Sequence, residues 1–153
     1  MRLAKCGMRS NNGAPGGTML EAKVITCSVR REARDLYERL WRPESFPQWA
    51  SGLSNGPLER DGEGWTAQGP EGPVRITFTP HNLFGVMDHR VDLGDGRSVF
   101  VPLRIVPNGE GSEVMLTLFR QPGTSDAQFA EDEAWIRRDL AALVALAEGP
   151  PGP

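Results

Sequence analysis

Between residues 57 and 120 the chain is punctuated by turn chemistry at short intervals, and from 125 to 148 it runs without a single breaker. Asp61-Gly62, Pro70 with Pro73, His81-Asn82, Asp95-Gly96 and Asn108-Gly109-Glu110-Gly111 are the punctuation. Turns so spaced close antiparallel hairpins, because glycine and asparagine supply the positive φ that a tight reversal needs. The intervening segments, at about 58–60, 65–69, 74–80, 84–93, 98–107 and 112–120, read as strands, and Val24, Ile25, Thr26 and Val29 make 23–29 another. A sheet of seven strands followed by one long helix has an apolar face that the helix must cover.

The helices are legible by their period. Ala33, Leu36, Tyr37, Leu40 and Trp41 recur on one face, with Glu32, Arg34, Asp35, Glu38 and Arg39 on the other. Pro43 suits the first position of a second short helix or turn, which Pro47 limits before Trp49. In the last element Ser125 stands three residues before Gln128, the spacing of a capping box. Asp126, Glu131, Asp132 and Glu133 crowd its early turns, where the helix dipole favours negative charge. Phe129, Ile136, Leu140, Leu143, Val144 and Ala147 form its apolar stripe.

The 153 residues fit one domain. Residues 1–18 have no period of either kind and read as a flexible tail, 19–149 as the domain, and 150–153 as a disordered end. The formal charge is −3, and because Arg2, Lys5 and Arg9 stand in the tail without an acid, the body is more acidic still. That balance argues against nucleic acid as a partner. Two separated cysteines, Cys6 in the tail and Cys27 in a strand, argue against a structural disulfide and for a cytoplasmic protein. No apolar run reaches the roughly 20 residues of a membrane span. Two histidines with no paired spacing argue against a metal site, and no phosphate-binding loop or nucleophile elbow implies a cofactor or a serine hydrolase.

The order of elements, the junction from Val29 to Leu40, the turn Phe46-Pro47-Gln48-Trp49, the meander through Val86 and Val91, and the helix ending in Asp139-Leu140-Ala141-Ala142-Leu143 carry a resemblance. From about residue 20 to 148 the chain resembles the START/SRPBCC superfamily, most closely its polyketide cyclase/dehydratase-like bacterial branch. Arg30-Arg31 stands where many members have Ala-Pro, a departure at a surface junction. The resemblance implies an α+β helix-grip fold, in which a curved seven-stranded antiparallel sheet wraps a long C-terminal helix and two short helices follow the first strand. It implies a pocket between sheet and helix, and no family-wide catalytic residue.

Alternation along the strands selects the residues that face such a pocket. Ile76 and Phe78 fall inward on one strand, Met87 and His89 on the next, and Val101, Leu103 and Leu116 on the last two. Trp65 adds an aromatic floor, and Phe129, Glu133 and Ile136 are contributed by the helix. His89 is the polar member of its face: a hydrogen-bonding partner for a ligand, a general acid or base, or a satisfied core histidine. Glu133 lies near the apolar stripe, where it either meets the ligand as an acid of raised pKa or ion-pairs with Arg137 four residues on. Phe100, Met115 and Phe119 face the other way and offer a homodimer patch.

Three functions follow from this reading. The first is binding of a small apolar or aromatic molecule. The second is a cyclase, aromatase or dehydratase that uses His89 with Glu133. The third is a protein-interaction module acting through the outer sheet face, like the ATPase-activator branch of the superfamily.

Overall fold

The computed structural model describes residues 17–52, 54, 56–69 and 71–150. The tail expected at 1–18 falls almost wholly outside them, as does most of the 150–153 end. Strand β1 (Ala22–Val29) leads into helix α1 (Ala33–Leu40) and a short 3-10 helix (Pro43–Gln48). Strands β2 (Glu59–Asp61), β3 (Gly64–Gly69), β4 (Gly72–Phe78), β5 (His89–Asp92), β6 (Ser98–Val101), β7 (Leu103–Asn108) and β8 (Gly111–Phe119) follow, and helix α2 (Asp126–Glu148) closes the order.

Each helix begins as its sequence dictates. Glu32 caps α1 by accepting the amide hydrogens of Arg34 and Asp35, which holds its carboxyl below the usual carboxylate range. The Ser125 hydroxyl accepts from the Gln128 amide at 3.1 Å and starts α2.

The single seven-stranded sheet expected from the hairpin spacing is instead two, a three-stranded sheet in the order β1-β8-β7 and a five-stranded one in the order β2-β3-β4-β5-β6. The cause is Pro102. It interrupts the segment expected as one strand at 98–107, because proline has no amide hydrogen to give the ladder. Opposite it, the segment expected as a strand at 84–93 is ordered only as a bridge at Val86 and as β5. There the Asp88 carboxylate takes over a ladder acceptor's work and receives the Leu103 amide at 2.9 Å. The register is unbroken across the gap, since Val86 stands opposite Arg104, His89 opposite Val101 and Asp92 opposite Ser98.

Alternation is obeyed along β1, β4, β5, β6 and β8 and the first half of β7. Ile76, Met87, Val91, Val99, Val101, Leu103, Ile105, Val114, Leu116 and Leu118 are buried, and they form one core with Phe129, Ile136, Leu140 and Leu143 of α2. Helix α2 runs beside β1, with Glu133 against Lys23 at one end and Glu148 accepting the Arg30 amide at the other. The Arg31 guanidinium, at the junction where the resemblance departs from its pattern, donates to the Ala147 carbonyl in the last turn of α2. Among the described residues no helix is long and apolar enough to cross a membrane.

Candidate functional site

A cavity of about 40 Å³ lies between the 3-10 helix, the inner sheet face and α2. Phe46, Trp49 and Ala50 wall it from the first side, His89, Val101 and Leu116 from the second, and Ile136 and Asp139 from the third. Four of the expected lining residues, His89, Val101, Leu116 and Ile136, are therefore brought together.

The remaining expected residues lie elsewhere. Ile76, Met87, Leu103 and Phe129 are packed into the core, and Trp65 and Phe78 lie partly buried against it. Phe129 sits under two cations, Lys23 at 4.8 Å and Arg120 at 5.6 Å from its ring centre. Glu133 is paired with Lys23 at 2.5 Å and with Arg137 at 2.8 Å. These partners hold its carboxyl below the usual range, so it is not the raised-pKa acid that one expectation required; the ion pair with Arg137 is the alternative that holds. Asp139, on the same helix, supplies the buried carboxylate instead.

His89 is 6% exposed. Its ring packs edge-on to Phe46, centroids 5.4 Å apart, and tilted to Phe78 at 5.7 Å. Nδ1 lies 3.1 Å from the Met87 carbonyl oxygen. A carbonyl only accepts, so Nδ1 carries the proton and the neutral ring presents Nε2 as a lone pair. Burial pushes the imidazole pKa down to about 4, against smaller upward pulls from the Met87 bond and Asp88. At neutral pH the ring is an acceptor and an uncharged one.

Asp139 is 8% exposed. It receives the Ser51 hydroxyl at 2.6 Å and the Gly52 amide at 3.3 Å, and Ser51 in turn receives the Trp135 indole N–H at 3.3 Å. The segment after the 3-10 helix is thereby tied to α2 across the cavity. Trp49 is 3% exposed, lies 5.2 Å from the Phe46 ring, and carries a buried Nε1–H with no partner. The expected lining included neither Trp49 nor Asp139. The signal for Asp139 was present, since it falls three residues after Ile136 and beside Leu140, where a carboxylate has no business on an apolar stripe unless something receives it.

Other features fit less well. A groove of about 560 Å³ on the outer face of the five-stranded sheet is lined by Arg75, Arg90 and Arg97 with Glu63 and Asp92 among them, a surface of mixed sign. His81 is an exposed partner of Glu38. Phe100 and Met115 are 39% and 37% exposed, and Phe100 lies under the Arg90 guanidinium at 5.4 Å. Cys27, half-buried on the inner face of β1, has its thiol pushed up to about 11, first by burial and then by Glu113, which removes it as a nucleophile at neutral pH. No group of metal-ligating side chains occurs among the described residues.

No protein-family model and no curated protein matches the chain. Solved structures do. CalU16 from Micromonospora echinospora is similar at 16% identity with a TM-score of 0.61, covering 86% of this chain and 77% of that one. The Aha1 dimer from Colwellia psychrerythraea is similar at 12% identity and a TM-score of 0.67, covering 87% of this chain and 100% of that one. DynU16, a protein of the dynemicin biosynthetic locus, is similar at 19% identity and a TM-score of 0.62; the match covers 85% of this chain but only 48% of DynU16, so the chain spans about half of that protein. Identities this low speak to architecture alone: with its two short helices after the first strand, its antiparallel strands and its long closing helix, the chain shares the helix-grip fold of these structures.

Proposed function

We propose that this protein binds a small apolar or aromatic molecule between the sheet and α2, with His89 as the group that orients it. The observation that carries the reading is a buried, neutral histidine in the wall of a cavity that is apolar apart from Asp139, with one ring nitrogen engaged by the backbone and the other an acceptor. Apolar burial would supply most of the affinity, at roughly 25 cal/mol per Å² before ordering costs, and polar groups would set the pose.

The enzymatic alternative has less support. A base with a pKa of about 4 has little drive to take a proton from carbon or hydroxyl at neutral pH, and Glu133 is occupied by two cations. The interaction-module alternative rests on Phe100, Met115 and Phe119; the ligand reading expects Met115→Glu to sediment as the parent protein does and to bind as it does.

Native mass spectrometry of freshly purified protein, followed by organic extraction, tests the proposal. A bound species of defined mass is the expected result. A bare polypeptide mass, with no shift in melting temperature across aromatic, lipid and quinone compounds, would overturn it.

A further inference from the structure

Two large apolar side chains stand next to each other in water at the tip of one loop. Leu83 and Phe84 are 79% and 80% exposed, against 39% for Phe100 and 37% for Met115. The loop, between β4 and β5, is firmly held, and Asn82 is its hub. The Asn82 amide donates to the Tyr37 hydroxyl at 2.9 Å, its carbonyl receives the Arg34 guanidinium at 2.9 Å, and its side-chain oxygen receives the amides of Phe84 and Val86 at 2.9 and 3.1 Å. Its side-chain nitrogen donates to the carbonyls of Pro80 and Val86. On the far side the Gly85 carbonyl, at φ +69°, receives the Ile105 amide, and a Cβ on Gly85 would run into the Ile105 carbonyl oxygen. The tip is thus tied to α1 on one side and to β7 on the other, while both apolar side chains lie outside the core. A pair ordered in advance loses little entropy when something covers it, and adjacent exposed apolar groups mark a contact surface.

Beside the tip is a groove of about 170 Å³ whose walls include Ala33, Tyr37, Ile105 and Pro107 together with Leu83 and Phe84 themselves. A cavity of about 150 Å³ holds benzene, so this groove has room for one phenyl ring. Glu32 and Arg34 also line it, an acid and a base two residues apart. A projection, a recess of matching size and opposite charges on one patch are what a two-fold axis demands, because each copy must offer both halves of every contact. We infer that the patch is a contact between two copies of this chain, the Phe84 ring of each entering the groove of the other, with Glu32 of each facing Arg34 of the other. A lipid surface suits it less, since the formal charge of the chain is −3 and an anionic bilayer repels such a chain. The contact is small, so the dimer forms reversibly at micromolar concentrations and above. Nothing in it depends on the cavity beside α2.

Sedimentation equilibrium of the full chain, from micromolar to near-millimolar concentration, reads the association. The weight-average mass is expected to climb from that of one chain toward that of two. Phe84→Asp, at a side chain too exposed to disturb the fold, should raise the dissociation constant about tenfold or more and leave the melting temperature of the dilute protein unchanged. Met115→Glu, outside the patch, should leave the dissociation constant as it is. In a sample mixed from isotope-labelled and unlabelled chains, a filtered NOE spectrum should place the Phe84 ring of one copy against Ala33 and Pro107 of the other. The mass of a single chain at every concentration would overturn the inference, and so would a dimer that survives Phe84→Asp or lacks those contacts. A chain that stays monomeric yet cosediments with phosphatidylcholine vesicles, and loses them on Phe84→Asp, would also overturn it and make the tip a membrane anchor.

Discussion

A histidine that is neutral because it is buried leaves a signature in stability. His89 has a pKa of about 4 in the folded chain against 6.5 for the free side chain. Below pH 6.5 the unfolded chain takes up a proton that the folded chain refuses, so stability is lost as pH falls from about 6.5 to about 4 and is fully present above that window. The shift corresponds to about 3 kcal/mol at most. His89→Met, which fills similar space without a titrating group, should show a shallower decline over that window when urea midpoints are compared with the parent protein. An identical decline in both would show that His89 titrates normally. The inward direction of His89 was legible in the sequence, because period-two alternation puts it with Met87 and Val91. Its tautomer was not, because the Met87 carbonyl that fixes it is a backbone group whose direction depends on the local break in the ladder. The same limit applied to Trp49, whose bulk announces a core residue and whose stranded N–H is a matter of what stands opposite.

At the level of elements, the sequence reading held wherever a local period decided the outcome and gave way where one residue's backbone chemistry acted across strands. Helices α1 and α2 lie where their stripes and caps put them. The expected strands at 84–93 and 98–107 both divide around Pro102, a consequence of an amide hydrogen missing in one strand and felt in its neighbour. That Asp139 and not Glu133 is the buried carboxylate of α2 follows from the rotation of the helix, which is fixed by the packing of Phe129, Ile136, Leu140 and Leu143 into the core and cannot be read from the helix alone. Asp139 joins α2 to the segment that follows the 3-10 helix. Asp139→Ala should strand the Ser51 hydroxyl and the Gly52 amide at a cost of about 1–3 kcal/mol. Hydrogen exchange at Gly52 should rise well beyond that of the β1 and β8 amides, and Asp139→Asn, which keeps an acceptor for Ser51, should recover part of the loss. Unchanged exchange at Gly52 in Asp139→Ala would show that this tie does not hold the segment.

For the molecule as a whole, the governing quantity is the room inside. Sites for drug-sized ligands run to roughly 300–1,000 Å³, whereas this cavity measures about 40 Å³, closer to the room a water or two requires. Phe46 and Trp49, both buried, fill space between the sheet and α2. On the proposed function, a drug-sized ligand enters only if the 3-10 helix and α2 part first, and stopped-flow association should then level off with rising ligand concentration as that opening becomes limiting. A rate that climbs linearly to the highest concentration would indicate entry without rearrangement. The fold class was readable from turn spacing and helix period because those depend on neighbours in sequence. The volume was not, since it depends on how far side chains from five separate elements reach toward one another.

The pairing of the first strand with the last has a consequence for how the protein is made. Among the described residues β1 pairs with β8 alone, and the helix beside it is α2. At translation rates of about 5–20 residues per second, the ribosome delivers Ile25 and Val29 on the order of ten seconds before the residues that cover them. The nascent chain thus spends that interval with an unpaired, half-apolar strand, and the helix that shuts the cavity is synthesised after every strand it covers.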